Sequence, residues 1–78
     1  MYYTYVLRSK LDNKLYIGST SNLKNRILQH NNGEVESTKD RRPLDLIYYE
    51  ACLTEIKAQK REKYFKTGFG RRFLATRI

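Results

Sequence analysis

The chain has 78 residues, a length that predicts one small domain, because such a chain buries only about 60% of the surface it exposes when unfolded. With 40% apolar residues, seven tyrosines and three phenylalanines, its composition excludes a disordered chain. A formal net charge of +8 and a pI near 9.8 favour a polyanionic partner over charge that serves only solubility. We therefore predict one domain over residues 1–78 that binds nucleic acid.

Two strands are predicted at the start of the chain. Residues 2–8 are rich in aromatic and β-branched side chains, and residues 14–20 alternate Leu and Ile with other residues, a pattern typical of strands. Asp12 and Asn13 are turn-forming residues between them. The pattern predicts an antiparallel hairpin.

A helix and a loop are predicted next. Ser21 or Asn22 can cap a helix that continues to Asn31, and Gly33 is placed to end it. Residues 34–43 are polar and predict a loop.

The rest of the chain predicts one more strand and more helix. Residues 44–51 are typical of a third strand, and Thr54 can cap a second helix that extends to Gly68. Residues 71–78 predict a short helix against the sheet or a frayed tail. The fold class is therefore predicted to be α+β, with a three-stranded antiparallel sheet flanked by helices.

Several site types and locations are disfavoured. A single cysteine, Cys52, cannot form an intrachain disulfide, and one histidine argues against a zinc site. No apolar signal core and no run of 18 apolar residues is present, so we expect a soluble, cytoplasmic protein that does not bind membranes. The sequence identifies no protein partner.

Two tyrosines are the first candidates for a site. Tyr5 and Tyr16 fall on adjacent predicted strands, and we expect their hydroxyl groups to converge, in contact with water, on one face of the sheet. Gly18 in mid-strand indicates that another group approaches the backbone closely. The remaining tyrosines are predicted to serve packing: Tyr2, Tyr3, Tyr48, Tyr49 and Tyr64.

Three further polar residues extend the candidate site. Arg26 and His30 are four residues apart on the first helix, so they can point together at one anion. Taken singly, each is more often a surface arginine or a packed histidine. Glu62 lies at the edge of an apolar stripe, where a carboxylate needs either Lys66 or a divalent cation as its partner.

The combined pattern resembles the GIY-YIG nuclease superfamily. This superfamily includes the N-terminal nuclease domain of the DNA excision-repair incision subunit and small stand-alone bacterial members, which are the most similar. The likeness covers essentially the whole chain, although the first triplet is Tyr-Thr-Tyr rather than Gly-Ile-Tyr. It is carried by Tyr3-Thr4-Tyr5, Tyr16-Ile17-Gly18, Arg26, His30 and Glu62, and also by Ser37-Thr38-Lys39, Arg42-Pro43-Leu44 and the segment 64–68.

The resemblance implies a Mg²⁺-dependent endonuclease acting on DNA, with Mn²⁺ as an alternative metal and RNA as a second substrate. Glu62 would bind the metal. Tyr5 would remove a proton from the attacking water, and Tyr16 would orient that water or the phosphate. Arg26 would neutralise developing charge. His30 would relay protons or hold Tyr5, and it is the alternative general base.

The predicted interface with nucleic acid recognises shape or backbone rather than base sequence. An alternative reading is a nucleic-acid-binding module that cleaves poorly or not at all, because many superfamily nucleases have a late asparagine and none follows Asn32 here. The residues expected to contact nucleic acid are Gly18, Lys39, Arg42, Lys60, Arg61, Arg71 and Arg72.

Overall fold

The computed structural model describes all 78 residues and has an α+β fold. The sheet is antiparallel, with β1 in the centre and β2 and β3 at its two edges, which confirms the predicted fold class. In chain order, the elements are β1 (Tyr2–Ser9), β2 (Leu15–Thr20), α1 (Leu23–Asn31), a 3₁₀ turn (Lys39–Arg41), β3 (Leu44–Cys52), α2 (Glu55–Phe65) and α3 (Gly68–Ala75).

The turn and cap residues have the predicted roles. Asn13 adopts a left-handed conformation with φ of 60°, in the hairpin turn. Asn22 caps α1 by accepting a hydrogen bond from a backbone N–H, and Thr54 does the same for α2. Gly33, with φ of +78°, ends α1 in a Schellman motif. Local sequence chemistry therefore sets most element ends.

A bulge in β3 decides which side chains face each side of the sheet. Val6 pairs with Tyr48, whereas the next residue, Leu7, pairs with Leu46, so Ile47 is the extra residue. The bulge resets the alternation of side chains along β3. As a result, Leu46 lies on the same face as Leu7, and Tyr48 lies on the opposite face with Val6.

The two faces of the sheet pack against different helices. On the face covered by α1, the buried residues Leu7 and Leu44 lie with Tyr5 against Leu23 and Ile27. On the other face, Val6 and Ile17 form a core with Phe65 of α2 and Leu74 of α3. The sheet therefore separates two small apolar clusters.

Two predicted boundaries are wrong. The helix expected to reach Gly68 ends at Phe65, because Thr67 begins a new helix by accepting a hydrogen bond from the Gly70 N–H. Gly70 permits the sharp bend, since a Cβ atom there would clash with the Tyr64 carbonyl. The short helix predicted within residues 71–78 is α3, which starts three residues earlier, at Gly68, and ends at Ala75.

The segment 34–43 also differs from expectation, and two of the tyrosines pack at the surface of the protein. The segment contains a 3₁₀ turn and the buried side chains Val35 and Thr38, so it is not simply a polar loop. Tyr49 and Tyr64, which are predicted to serve packing, each contact another aromatic ring, Tyr3 and Phe65 respectively, but Tyr49 is 52% exposed and Tyr64 is also exposed.

Candidate active site

A buried chain of polar side chains lies between the sheet and α1. Tyr5 Oη and His30 Nε2 share a hydrogen bond of 2.8 Å, and His30 Nδ1 and Thr38 Oγ1 share one of 2.7 Å. Tyr5 is 1% exposed, and the other two residues are fully buried. Both ring nitrogens of His30 therefore have protein partners.

Burial controls the protonation of this chain. Burial raises the pKa of Tyr5, and the nearby Arg26 guanidinium opposes that shift only in part. Burial, together with the positive charge of Arg26, lowers the pKa of His30 to about 4. The phenol and the imidazole are therefore both neutral at pH 7.

Two expectations about this region are consequently wrong. The hydroxyl of Tyr5 does not lie in contact with water on the sheet surface but is covered by α1. A neutral, fully buried His30 neither points with Arg26 at an anion nor supplies a positive charge to lower the pKa of Tyr5. Arg26 itself is half-buried, and it donates a hydrogen bond to the Gln29 side chain.

Tyr16 and Gly18 complete the environment of the Tyr5 ring. The ring centroid of Tyr16 lies 6.4 Å from that of Tyr5 and 5.0 Å from that of His30. Gly18 pairs with Tyr5 across the sheet, and a Cβ atom on it would lie 2.5 Å from Tyr5 Oη. The group that approaches Gly18 closely is therefore Tyr5, so the glycine is explained without nucleic acid.

Glu62 approaches β2 from the opposite face of the sheet. Its Oε1 accepts a hydrogen bond from Ser19 Oγ at 2.8 Å, and its Oε2 accepts one from Lys66 Nζ at 2.9 Å. The side chain is 24% exposed, and its charge contributes to the raised pKa of Tyr5. Gly18, the cross-strand partner of Tyr5, and Ser19, the partner of Glu62, are adjacent on the edge strand β2, so the two sets of groups lie on opposite faces of neighbouring positions of that strand.

Arg61 is a structural residue, which corrects its predicted role in binding nucleic acid. It donates two hydrogen bonds to Glu50, at 2.8 and 3.0 Å, and its guanidinium stacks on Tyr64, Phe65 and Phe73. These bonds to Glu50 raise the pKa of Arg61. Two of its donor atoms, Nε and Nη2, are therefore engaged by Glu50 rather than available to a phosphate.

The other predicted interface cations are on the surface. Lys60 and Arg71 are exposed and have no acidic partner, and Arg72 is exposed above the ring of Phe69. Lys39 pairs with a highly exposed glutamate, and Arg42 donates a hydrogen bond to the Lys39 carbonyl.

Sequence reasoning missed two residues that hold the candidate groups in place. Thr38 belongs to the Ser-Thr-Lys segment that contributed to the resemblance, but its contact with His30 depends on the fold of the segment 34–43. Ser19 directly follows the Tyr-Ile-Gly triplet and binds Glu62. The structure contains no group of three or more His, Cys, Asp or Glu side chains that could hold a metal ion. None of the helices is long and apolar enough to cross a membrane.

Comparison with known proteins assigns the family. The family described as the GIY-YIG catalytic domain matches residues 1–74. The UPF0213 protein of Clostridium perfringens is 45% identical over 67 residues, which cover 85% of this chain and 71% of the relative. The UPF0213 protein of Pediococcus pentosaceus is 47% identical over 66 residues, covering 83% and 68%. The solution NMR structure of a UPF0213 protein from Bacillus halodurans has a TM-score of 0.59 and 28% identity, and covers 97% of this chain and 84% of its own. The chain therefore belongs to the GIY-YIG family.

Proposed function

We propose that this protein is a metal-dependent endonuclease that hydrolyses phosphodiester bonds in DNA, directed by backbone or shape rather than by base sequence. The family suggests a nuclease and a nucleic acid substrate. The observation that carries the proposal is that the Tyr5–His30–Thr38 chain and Glu62 are held at adjacent positions of β2, through Gly18 opposite Tyr5 and Ser19 bonded to Glu62.

Glu62 is the residue that would hold the metal. GIY-YIG nucleases generally use divalent metals. A single carboxylate suits Mg²⁺ or Mn²⁺, because Mg²⁺ often binds through one or two carboxylates while retaining waters and substrate phosphates. Lys66, which contacts Glu62, is 53% exposed and therefore free to move aside. When bound, such an ion polarises the phosphate and stabilises developing negative charge.

Tyr5 and His30 form a proton relay in this proposal. The Tyr5 hydroxyl is covered in the free protein, so the relay requires that substrate binding admit the attacking water to it. Tyr5 would then accept a proton from that water as its own hydroxyl proton passes to His30 Nε2, so that no free phenolate is required. His30 becomes an imidazolium, and its Nδ1–H is held by Thr38. This direction of transfer is supported by the positive charge of Arg26, which lies near the Tyr5 oxygen and favours loss of the phenol proton to His30.

Arg26 and Tyr16 position and stabilise the reacting group. The Arg26 guanidinium is close enough to Tyr5 to affect its pKa, so it would neutralise charge that develops on the phosphate there. Tyr16 is half-buried beside the ring of His30, where its hydroxyl would orient the water or the phosphate.

The same structure supports a second candidate, a binding module that cleaves weakly or not at all. It is favoured by Tyr5, whose 1% exposure and raised pKa are unfavourable for a general base in the free protein. Both candidate functions include binding of nucleic acid, but only the nuclease cleaves it at an appreciable rate.

Cleavage assays separate the two candidates. Supercoiled plasmid and a flapped duplex would be incubated with the protein in Mg²⁺, in Mn²⁺ and in excess EDTA. We expect nicking or incision with either metal and none in EDTA. Binding of both substrates without cleavage in either metal would favour the binding module, and cleavage that persists in EDTA would contradict a metal-dependent reaction.

A further inference from the structure

An open groove of about 570 Å³ lies between the sheet and the first turns of α1. Leu23 and Ile27 of α1 form one wall, and Tyr3, Leu46 and Tyr49 of the sheet form the other. It is distinct from the polar chain of Tyr5 and His30, although Leu23 and Ile27 also pack against the cluster that contains Tyr5.

The groove lies on the same face of the sheet as Tyr5 but on the side of β3, whereas the Tyr5 hydroxyl lies over Gly18 of β2. Tyr49 is the direct cross-strand partner of Tyr5, and side chains of directly opposed residues project from the same face with Cβ atoms about 5 Å apart. Tyr3 lies two residues before Tyr5 on β1 and therefore on that same face. A bound strand that passes from the Tyr5 hydroxyl to Tyr49 would cross about two strand spacings, roughly 10 Å.

The lining of the groove has the chemistry of a base-stacking site. Tyr49 is 52% exposed and Leu46 is 37% exposed, although both are large apolar residues. The rings of Tyr3 and Tyr49 meet edge to face with centroids 6.2 Å apart, and Tyr49 keeps about half of its surface exposed. Lys24 is the one charged residue of the lining, so nothing there repels a phosphate.

We propose that this groove binds an unpaired nucleobase of the strand being cleaved, which would make single-stranded, flapped or bulged nucleic acid the preferred substrate class. The inference rests on the proposed nuclease function and adds a substrate preference to it. Aromatic rings beside a basic surface bind bases without regard to sequence, because every base has a π-face. A protein partner fits less well, since stable interfaces bury about 1,600 Å² and this groove is small.

Binding without metal tests the groove separately from cleavage. Fluorescence anisotropy would compare a labelled single-stranded 12-mer with the blunt duplex of the same sequence in EDTA. Tyr49→Ala should weaken single-strand binding by about 5- to 150-fold, the range expected for one stacked base, and duplex binding by less than about twofold. Tyr49→Phe keeps the ring and should bind like the wild type.

Two further variants keep the result interpretable. Tyr49→Leu preserves an apolar residue on β3 but removes the ring, and it should show the same selective loss. Ile56→Ala removes an exposed apolar side chain of α2 and should change neither affinity. Equal affinity of Tyr49→Ala and wild type for the single strand, or an equal loss on both nucleic acids, would overturn the groove assignment and leave the nuclease proposal standing. Failure of the wild type to bind either nucleic acid would contradict the proposed function and, with it, this site.

Discussion

His30 has both of its ring nitrogens bonded inside the protein, and this fact limits the chemistry available to the candidate site. A histidine with a pKa of about 4 is neutral over the physiological range, so His30 would carry a proton only transiently during the reaction. Tyr5 is the group in position to supply that proton. Thr38, on the far side of the ring, fixes its orientation.

The role of Thr38 can be tested by an isosteric change. Thr38→Val removes the partner of His30 Nδ1 and leaves a buried polar atom unsatisfied, so we expect a loss of about 1–3 kcal/mol in the free energy of unfolding and slower cleavage. Thr38→Ser should restore most of both. Urea denaturation and single-turnover cleavage provide the measurements, with the exposed Ser37→Ala as the control. Unchanged stability and rate in Thr38→Val would remove this residue from the relay.

The lowered pKa of His30 predicts a pH dependence of stability. Between about pH 6.5 and pH 4 the unfolded chain binds a proton that the folded protein does not, so stability falls as the pH falls through this window. We expect a loss of about 2 kcal/mol between pH 7 and pH 5 by urea denaturation. His30→Gln should show a smaller dependence over that interval. Equal slopes for wild type and variant would show that His30 is not neutral in the folded protein.

Helix α2 places two neighbouring residues in opposite roles. Arg61 and Glu62 are consecutive, but successive residues project about 100° apart on a helix, so Arg61 turns toward β3 and Glu62 toward β2. One helix therefore contributes a bidentate ion pair to the fold and a carboxylate to the candidate site.

Stability measurements can separate the structural cation from the surface cations. Arg61→Ala removes two hydrogen bonds to Glu50 and the stacking on three aromatic rings, so the free energy of unfolding should fall by about 1–3 kcal/mol. Lys60→Ala, one residue earlier and exposed, should change it by less than about 0.5 kcal/mol. A similar effect of the two substitutions in urea denaturation would contradict the structural assignment of Arg61.

The features that depend on neighbouring residues could be predicted from the sequence. The caps at Asn22 and Thr54 and the helix end at Gly33 depend on neighbouring backbone groups, and each was confirmed. The end of α2 was missed because it depends on Gly70 fitting against the preceding helix. The burial of Tyr5 and the contact of Thr38 with His30 were also missed, because both require elements that are distant in the chain to pack together.

At the scale of the whole molecule, a 78-residue chain with a net charge of +8 carries much of its positive charge on α2 and α3. Exposed cations such as Lys60 and Arg71 have no acidic partner, so they can neutralise phosphates. Contacts of this kind release counterions and are largely independent of sequence. The exposed cations thus favour binding along the phosphate backbone of a nucleic acid.

Salt dependence measures this contribution. A protein that neutralises about four phosphates loses roughly a hundredfold in duplex affinity between 50 and 200 mM salt. We expect a steep dependence of this order by anisotropy, and a slope reduced by about 1 for each of Lys60→Ala and Arg71→Ala. Lys10→Ala, whose ammonium pairs with Asp45, should reduce it less. Affinity that does not change with salt would mean that the charge serves solubility alone.

The most direct test of the account measures stability and cleavage together on Glu62→Gln. The amide keeps the size of the side chain and an acceptor for Ser19, and it loses only a partly exposed pair with Lys66, so the free energy of unfolding should change by less than about 1 kcal/mol. Cleavage in Mg²⁺ should fall at least about a hundredfold, because metal stabilisation of the transition state contributes several kcal/mol. A folded Glu62→Gln protein that binds DNA and cleaves it as fast as the wild type would contradict the account.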